Sequence, residues 1–87
     1  MKIKSGYVLK ELGESYIVVP VGDRVKEFNG VVNLNESGAF LWKSSQDEIE
    51  RDKLIDKLMK EYEIDKETAT RGVNKFIETL MEEGFVD

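Results

Sequence analysis

Phe28-Asn29-Gly30-Val31-Val32-Asn33-Leu34-Asn35-Glu36-Ser37-Gly38-Ala39-Phe40-Leu41-Trp42 is the stretch on which the fold of this chain turns. Three signals follow one another in it. Asn29-Gly30 is a turn pair. Val31 to Leu34 is a short β-branched run that reads as a strand. Asn35 then opens a helix, because its side-chain oxygen accepts from a first-turn N–H that has no other partner. Glu36 complements the positive end of that helix, and Phe40, Leu41 and Trp42 give it an apolar face. Gly38 inside it weakens the helix by roughly 1 kcal/mol against alanine and suits close packing, here against a sheet.

Upstream of this stretch the chain reads as sheet. Tyr7 to Leu12 is one strand and Tyr16 to Val21 the next, joined through Gly13-Glu14-Ser15 as a hairpin. Pro20 has no N–H, which places it at a strand end or on an unpaired edge. Arg24 to Phe28 has two readings. It forms a second small hairpin with Val31–Leu34 across Asn29-Gly30, or it is an irregular loop and only Val31–Leu34 pairs.

Downstream the chain reads as helix. Asp47 to Glu50 is a charged lead-in. Leu54, Ile55, Leu58, Met59 and Tyr62 recur at helical spacing, with Lys53, Asp56, Lys57 and Lys60 on the solvated side. Asp65 caps a third helix whose core stripe is Ala69, Val73, Phe76 and Leu80. Gly84 stops that helix, and Phe85 and Val86 fold back on the core. Strands first and helices after define an α+β domain: a small N-terminal antiparallel sheet of about three strands followed by three α-helices, an order that also fits a winged-helix-like core. Residues 1–87 are read as a single domain.

Composition narrows the chemistry. The 87 residues contain neither cysteine nor histidine. Disulfides, zinc sites of the Cys/His type, thiol nucleophiles and imidazole acid–base catalysis are therefore excluded. Ser37, Ser44 and Ser45 have no histidine to activate them. The carboxylates alternate with lysines along the helices, as on a solvated face, and no glycine-rich phosphate loop occurs. The chain is read as a non-enzyme with no cofactor and no metal. The longest apolar run, Tyr16 to Val21, is too short to span a bilayer. No signal sequence follows Met1, which favours the cytoplasm.

The net charge of −5 opposes a phosphate backbone. The outward residues of the third helix confirm that tendency: Lys66, Arg71 and Lys75 lie in its first half, while Glu78, Glu82 and Glu83 crowd the second. A groove-reading helix needs base-edge donors and phosphate-neutralising neighbours, so a winged-helix DNA-binding regulator is the weaker reading. An interaction surface remains. Thr70, Ile77 and Met81 widen the apolar stripe of the third helix on one flank, with Asn74 at the border. A methionine suits a surface that accepts varied apolar side chains. With Val31–Leu34 on the sheet edge beside that flank, an incoming extended peptide would pair with the strand's free backbone groups. Backbone bonds contribute only about 0.5–1.5 kcal/mol each, and ordering the peptide consumes much of that. Apolar anchors worth about 1.5–3 kcal/mol each when buried must decide the affinity.

The same residues carry a family resemblance. Val31-Val32-Asn33-Leu34-Asn35-Glu36-Ser37-Gly38-Ala39-Phe40-Leu41-Trp42 resembles the strand-to-helix "LNxxGAxxW" signature of the PqqD family. Leu54, Leu58 and Tyr62, the start at Asp65, and the ending Phe76, Leu80, Gly84-Phe85-Val86 are similar to the rest of that family. The resemblance implies a RiPP recognition element: a peptide chaperone that adds the leader of a ribosomally synthesised precursor peptide as a strand and presents it to a modifying enzyme, often a radical SAM protein. It implies Val31, Val32, Asn33 and Leu34 as the peptide-binding strand and Thr70, Asn74, Ile77 and Met81 as the helix wall. The charge and the short apolar runs argue against nucleic acid and membrane as partners, and the chain is read as a monomer or weak homodimer. Two places depart from the family pattern. Pro20-Val21-Gly22 is followed by an additional piece, Asp23 to Gly30, and Ser44-Ser45-Gln46-Asp47 replaces the usual Asp-Gly turn. The resemblance therefore implies the peptide-chaperone role and not the pyrroloquinoline quinone pathway itself.

Overall fold

The computed structural model describes residues 1–26 and 31–86. Strands β1 (Tyr7–Leu12), β2 (Ser15–Pro20) and β3 (Val32–Leu34) form one antiparallel sheet in the order β1-β2-β3. Helices α1 (Glu36–Ser44), α2 (Arg51–Tyr62) and α3 (Lys66–Glu82) follow. This is the α+β order expected, winged-helix-like, with the sheet first and the helices after. The hairpin turn is tight: Leu12 is already paired with Ser15. Gly13 between them has a φ of +63°, in the left-handed region that glycine enters without strain. Pro20 is the last residue of β2, where a missing N–H is tolerated.

Register decides which side chains go inward. Leu9, Val18 and Val32 stand in one row across the sheet, and Val18 at the centre of that row is fully buried. Successive residues alternate faces, so Val8, Lys10 and Leu12 point away from the core, and all three are exposed. The inward face meets Leu41 and Trp42 of α1, both buried. Leu54, Ile55 and Leu58 of α2 and Ala69, Val73, Phe76 and Leu80 of α3 complete the core cluster.

Phe85 closes it. Its ring lies 4.5 Å from that of Tyr7 and edge-on to Trp42 at 5.6 Å, joining β1 to α1 through the third residue beyond α3. The turn that delivers it is a Schellman ending. Phe85 N–H donates to the Leu80 carbonyl at 2.8 Å and Gly84 N–H to that of Met81 at 3.2 Å, and Gly84 takes a φ of +75°. Lys4 N–H then donates to the Phe85 carbonyl at 2.8 Å, so the N-terminal segment lies along the C-terminal one.

The segment from Gly22 to Lys26 is a 3-10 helix. An extended strand over Arg24–Phe28, one of the two sequence readings, is therefore absent at Arg24–Lys26, and its remainder with the Asn29-Gly30 turn lies outside the described residues. The cause is tertiary. The Arg24 guanidinium Nε donates to the Ser5 carbonyl at 3.1 Å and the group sits 5.5 Å from the Tyr7 ring centroid. Those contacts fold the segment back over Gly6. A Cβ built on Gly6 would lie 2.3 Å from Arg24 Cγ, so this glycine is required by space as well as by its φ of +94°.

Candidate functional site

β3 is the terminal strand of the sheet among the described residues, pairing with β2 on one side through Tyr16↔Leu34, Ile17↔Asn33 and Val18↔Val32. Alternate backbone groups of a strand point to opposite edges, so part of its N–H and C=O complement faces outward. Val32 and Leu34 are half-buried and pack on the core, while Asn33 is exposed. Val31, which sequence assigns to the strand, precedes it and is 54% exposed.

Asn35 makes the junction. Its side-chain oxygen accepts from Gly38 N–H at 2.7 Å and from the Ser37 hydroxyl at 3.1 Å. The chain thereby turns sharply from strand to helix, and α1 starts directly against β3. Gly38 is what lets it do so: a Cβ there would approach the Asn35 oxygen to 3.1 Å and Leu34 Cβ to 3.4 Å.

Between this junction and α3 lies an open groove of about 240 Å³, room for a few side chains. Asn33, Leu34, Asn35, Ser37, Gly38 and Leu41 form one side of it; Gly72, Lys75, Phe76 and Thr79 of α3 form the other. Leu34, Leu41 and Phe76 give it apolar walls. Most of its polar side chains are engaged locally: Ser37 with Asn35, Asn35 with Gly38, and the Thr79 hydroxyl with the Lys75 carbonyl at 3.0 Å. Lys75 is the only charged lining residue, and it forms no ion pair among the described residues.

The sequence-predicted residues divide. Asn33 and Leu34 line the groove, with Val32 beside them in the strand. Thr70, Asn74, Ile77 and Met81 do not line it. At about 100° per residue, they fall on one flank of the Ala69-Val73-Phe76-Leu80 stripe, and Gly72, Lys75 and Thr79 fall on the other. Asn74 on the first flank accepts from Arg51 Nε of α2 at 2.7 Å. Ile77 packs against the core cluster, and Met81 is 63% exposed. The α3 residues that sequence reasoning did not assign to the groove are Gly72, Lys75 and Thr79. Thr79 and Lys75 border the groove on that flank, while a Cβ built on Gly72 would meet Leu58 Cδ2 of α2 at 3.3 Å, so Gly72 serves the close approach of α2 and α3.

The family model described as coenzyme PQQ synthesis protein D (PqqD) matches residues 8–86. This chain belongs to the PqqD family. No curated protein matches it. Among solved structures, the chain is similar to TbiB1 in complex with the TbiA(beta) leader peptide, with a TM-score of 0.75 and 17% sequence identity. That likeness covers 100% of this chain and 95% of TbiB1. At this identity it is a likeness of fold, and it extends through every element described above. The Asn35 junction, the α3 stripe and the Gly84 ending all fall within the span of the PqqD match.

Proposed function

We propose that this PqqD-family chain is a non-catalytic, cytoplasmic module that captures the leader segment of a ribosomally synthesised precursor peptide and presents it to a modifying enzyme of the radical SAM type. One observation carries the reading: an apolar groove lies open beside a strand that has a neighbour on one side only, among the described residues. Family membership and a fold shared with a protein solved in complex with a leader peptide support it.

The leader adds antiparallel or parallel to β3 at its outer edge. A three-residue strand offers only a few backbone bonds, each worth about 0.5–1.5 kcal/mol net. Backbone pairing therefore sets direction and register, and apolar leader side chains set affinity by burying themselves against Leu34, Leu41 and Phe76 at about 1.5–3 kcal/mol each. The strand side of the site is Val31 to Leu34. The helix wall we assign to Gly72, Lys75, Phe76 and Thr79, because those residues face β3 across the groove. The flank of Thr70, Asn74, Ile77 and Met81 is the contrasting arm of the test.

The experiment is a titration of isotope-labelled protein with the leader of a precursor encoded beside it. Amides of Asn33, Leu34, Gly72, Lys75 and Thr79 are expected to shift together. Shifts confined to the outer face of the sheet, at Val8, Lys10 and Leu12, would reject the reading.

A further inference from the structure

We propose that Lys75 makes the groove selective for an acidic side chain, so that the captured peptide carries an aspartate or glutamate next to its apolar anchor. This inference rests on the peptide-binding reading above and specifies its substrate. The chain as a whole is acidic, with a net charge of −5, yet among the described residues the only charge lining the groove is positive. Arg71, one turn before Lys75 on the same flank, is held by Glu67 at 3.3 Å. Lys75 has no such partner among the described residues.

An unpaired ammonium at the rim of an apolar groove attracts a carboxylate for two reasons. It has no internal ion pair to give up, and a bound peptide excludes water from one side of it, which strengthens the attraction. α1 begins on the facing wall at Ser37 and Gly38, where Asn35 already accepts from the Gly38 N–H and Glu36 answers the helix's positive end, so the attraction for a carboxylate comes from Lys75. A basic side chain placed beside Lys75 meets its ammonium as repulsion. Charge at an interface edge governs association rate and specificity more than total affinity.

The probe is a displayed library of random linear peptides, selected in parallel against the wild-type chain and Lys75→Glu. Lys75 is exposed, so the variant is expected to keep the wild-type thermal unfolding curve. Wild type should enrich peptides with Asp or Glu at a fixed spacing from an apolar residue. Lys75→Glu should enrich Lys or Arg at that place. For one selected acidic peptide, Lys75→Met should weaken binding by about two- to fivefold at low salt, as for an exposed ion pair, and the difference should vanish as salt rises. Peptides that shift the β3 amides but show the same charge preference with both proteins would overturn the role of Lys75 and leave the peptide-binding reading standing. If no peptide is enriched, or none shifts β3, the groove reading falls and the Lys75 assignment falls with it.

Discussion

Asn35 shows how one side chain sets a site. It ends β3, caps α1 and lines the groove, and its oxygen accepts two bonds in doing so. Such caps are legible in sequence because the chemistry is local: a short polar side chain before an apolar periodic run has few other uses. Asp65 repeats the device at α3, accepting from Thr68 N–H at 2.8 Å. Its carboxyl is held below its ordinary value first by the Thr68 hydroxyl and then by the Thr68 N–H. A carboxyl lowered by folding contributes stability that is complete above its unfolded value and lost as pH falls through the lowered one. Asp65→Asn keeps a capping oxygen but removes the titration. The melting-temperature advantage of wild type over Asp65→Asn should therefore be largest near neutrality and shrink in acid below the ordinary carboxyl range. An advantage independent of pH would show that the cap's charge is irrelevant. Glu63, at the end of α2, is the opposite case, a residue sequence did not flag. It is the only non-glycine residue with positive φ among those described, at +51°. Left-handed backbone strains a residue with a Cβ, so Glu63→Gly should stabilise the chain by about 0.5–1 kcal/mol in urea unfolding.

Among the elements, α3 was half legible. Its span, its cap and its core stripe followed from periodicity, since a 3.6-residue repeat fixes which residues share a face. Which flank of the stripe borders the β3–α1 groove did not follow, because that depends on where the neighbours cross. Sequence assigns Ile77 and Met81 to the wall because they are apolar; in the fold Arg51 of α2 reaches Asn74 on that flank, while Lys75 and Thr79 border the groove with β3 and α1 on the other. The 3-10 turn over Gly22–Lys26 escaped sequence for a related reason, since its fold depends on Arg24 meeting Ser5 and Tyr7. The flank assignment can be checked directly. Thr79→Trp places an indole in the groove and should abolish leader binding by calorimetry with the unfolding midpoint little changed. Met81→Trp, on the far flank at an exposed position, should bind as wild type does. Equal loss in both variants would move the site off the groove.

The assembly as a whole hangs on a small core. Eighty-seven residues at about 0.05–0.15 kcal/mol each give a total stability of roughly 4–13 kcal/mol. Much of the cohesion between sheet and helices passes through Phe85, which is fully buried against Tyr7 and Trp42 and whose carbonyl holds Lys4. Removing a buried phenylalanine costs about 3–5 kcal/mol, a large share of that total. Phe85→Ala is therefore expected to lose its cooperative thermal transition or to shift it far down, while Phe85→Leu, which refills most of the space, should retain it. The consequence reaches the groove, although Phe85 lies outside it. β3 is held to the core by Val32 and Leu34, and α3 by its stripe, so the distance between the two walls is set by the packing that Phe85 completes. Leader affinity in Phe85→Leu should fall with stability, whereas in Thr79→Trp it should fall without it. Measuring both quantities in both variants separates a groove that is blocked from one that is no longer held open.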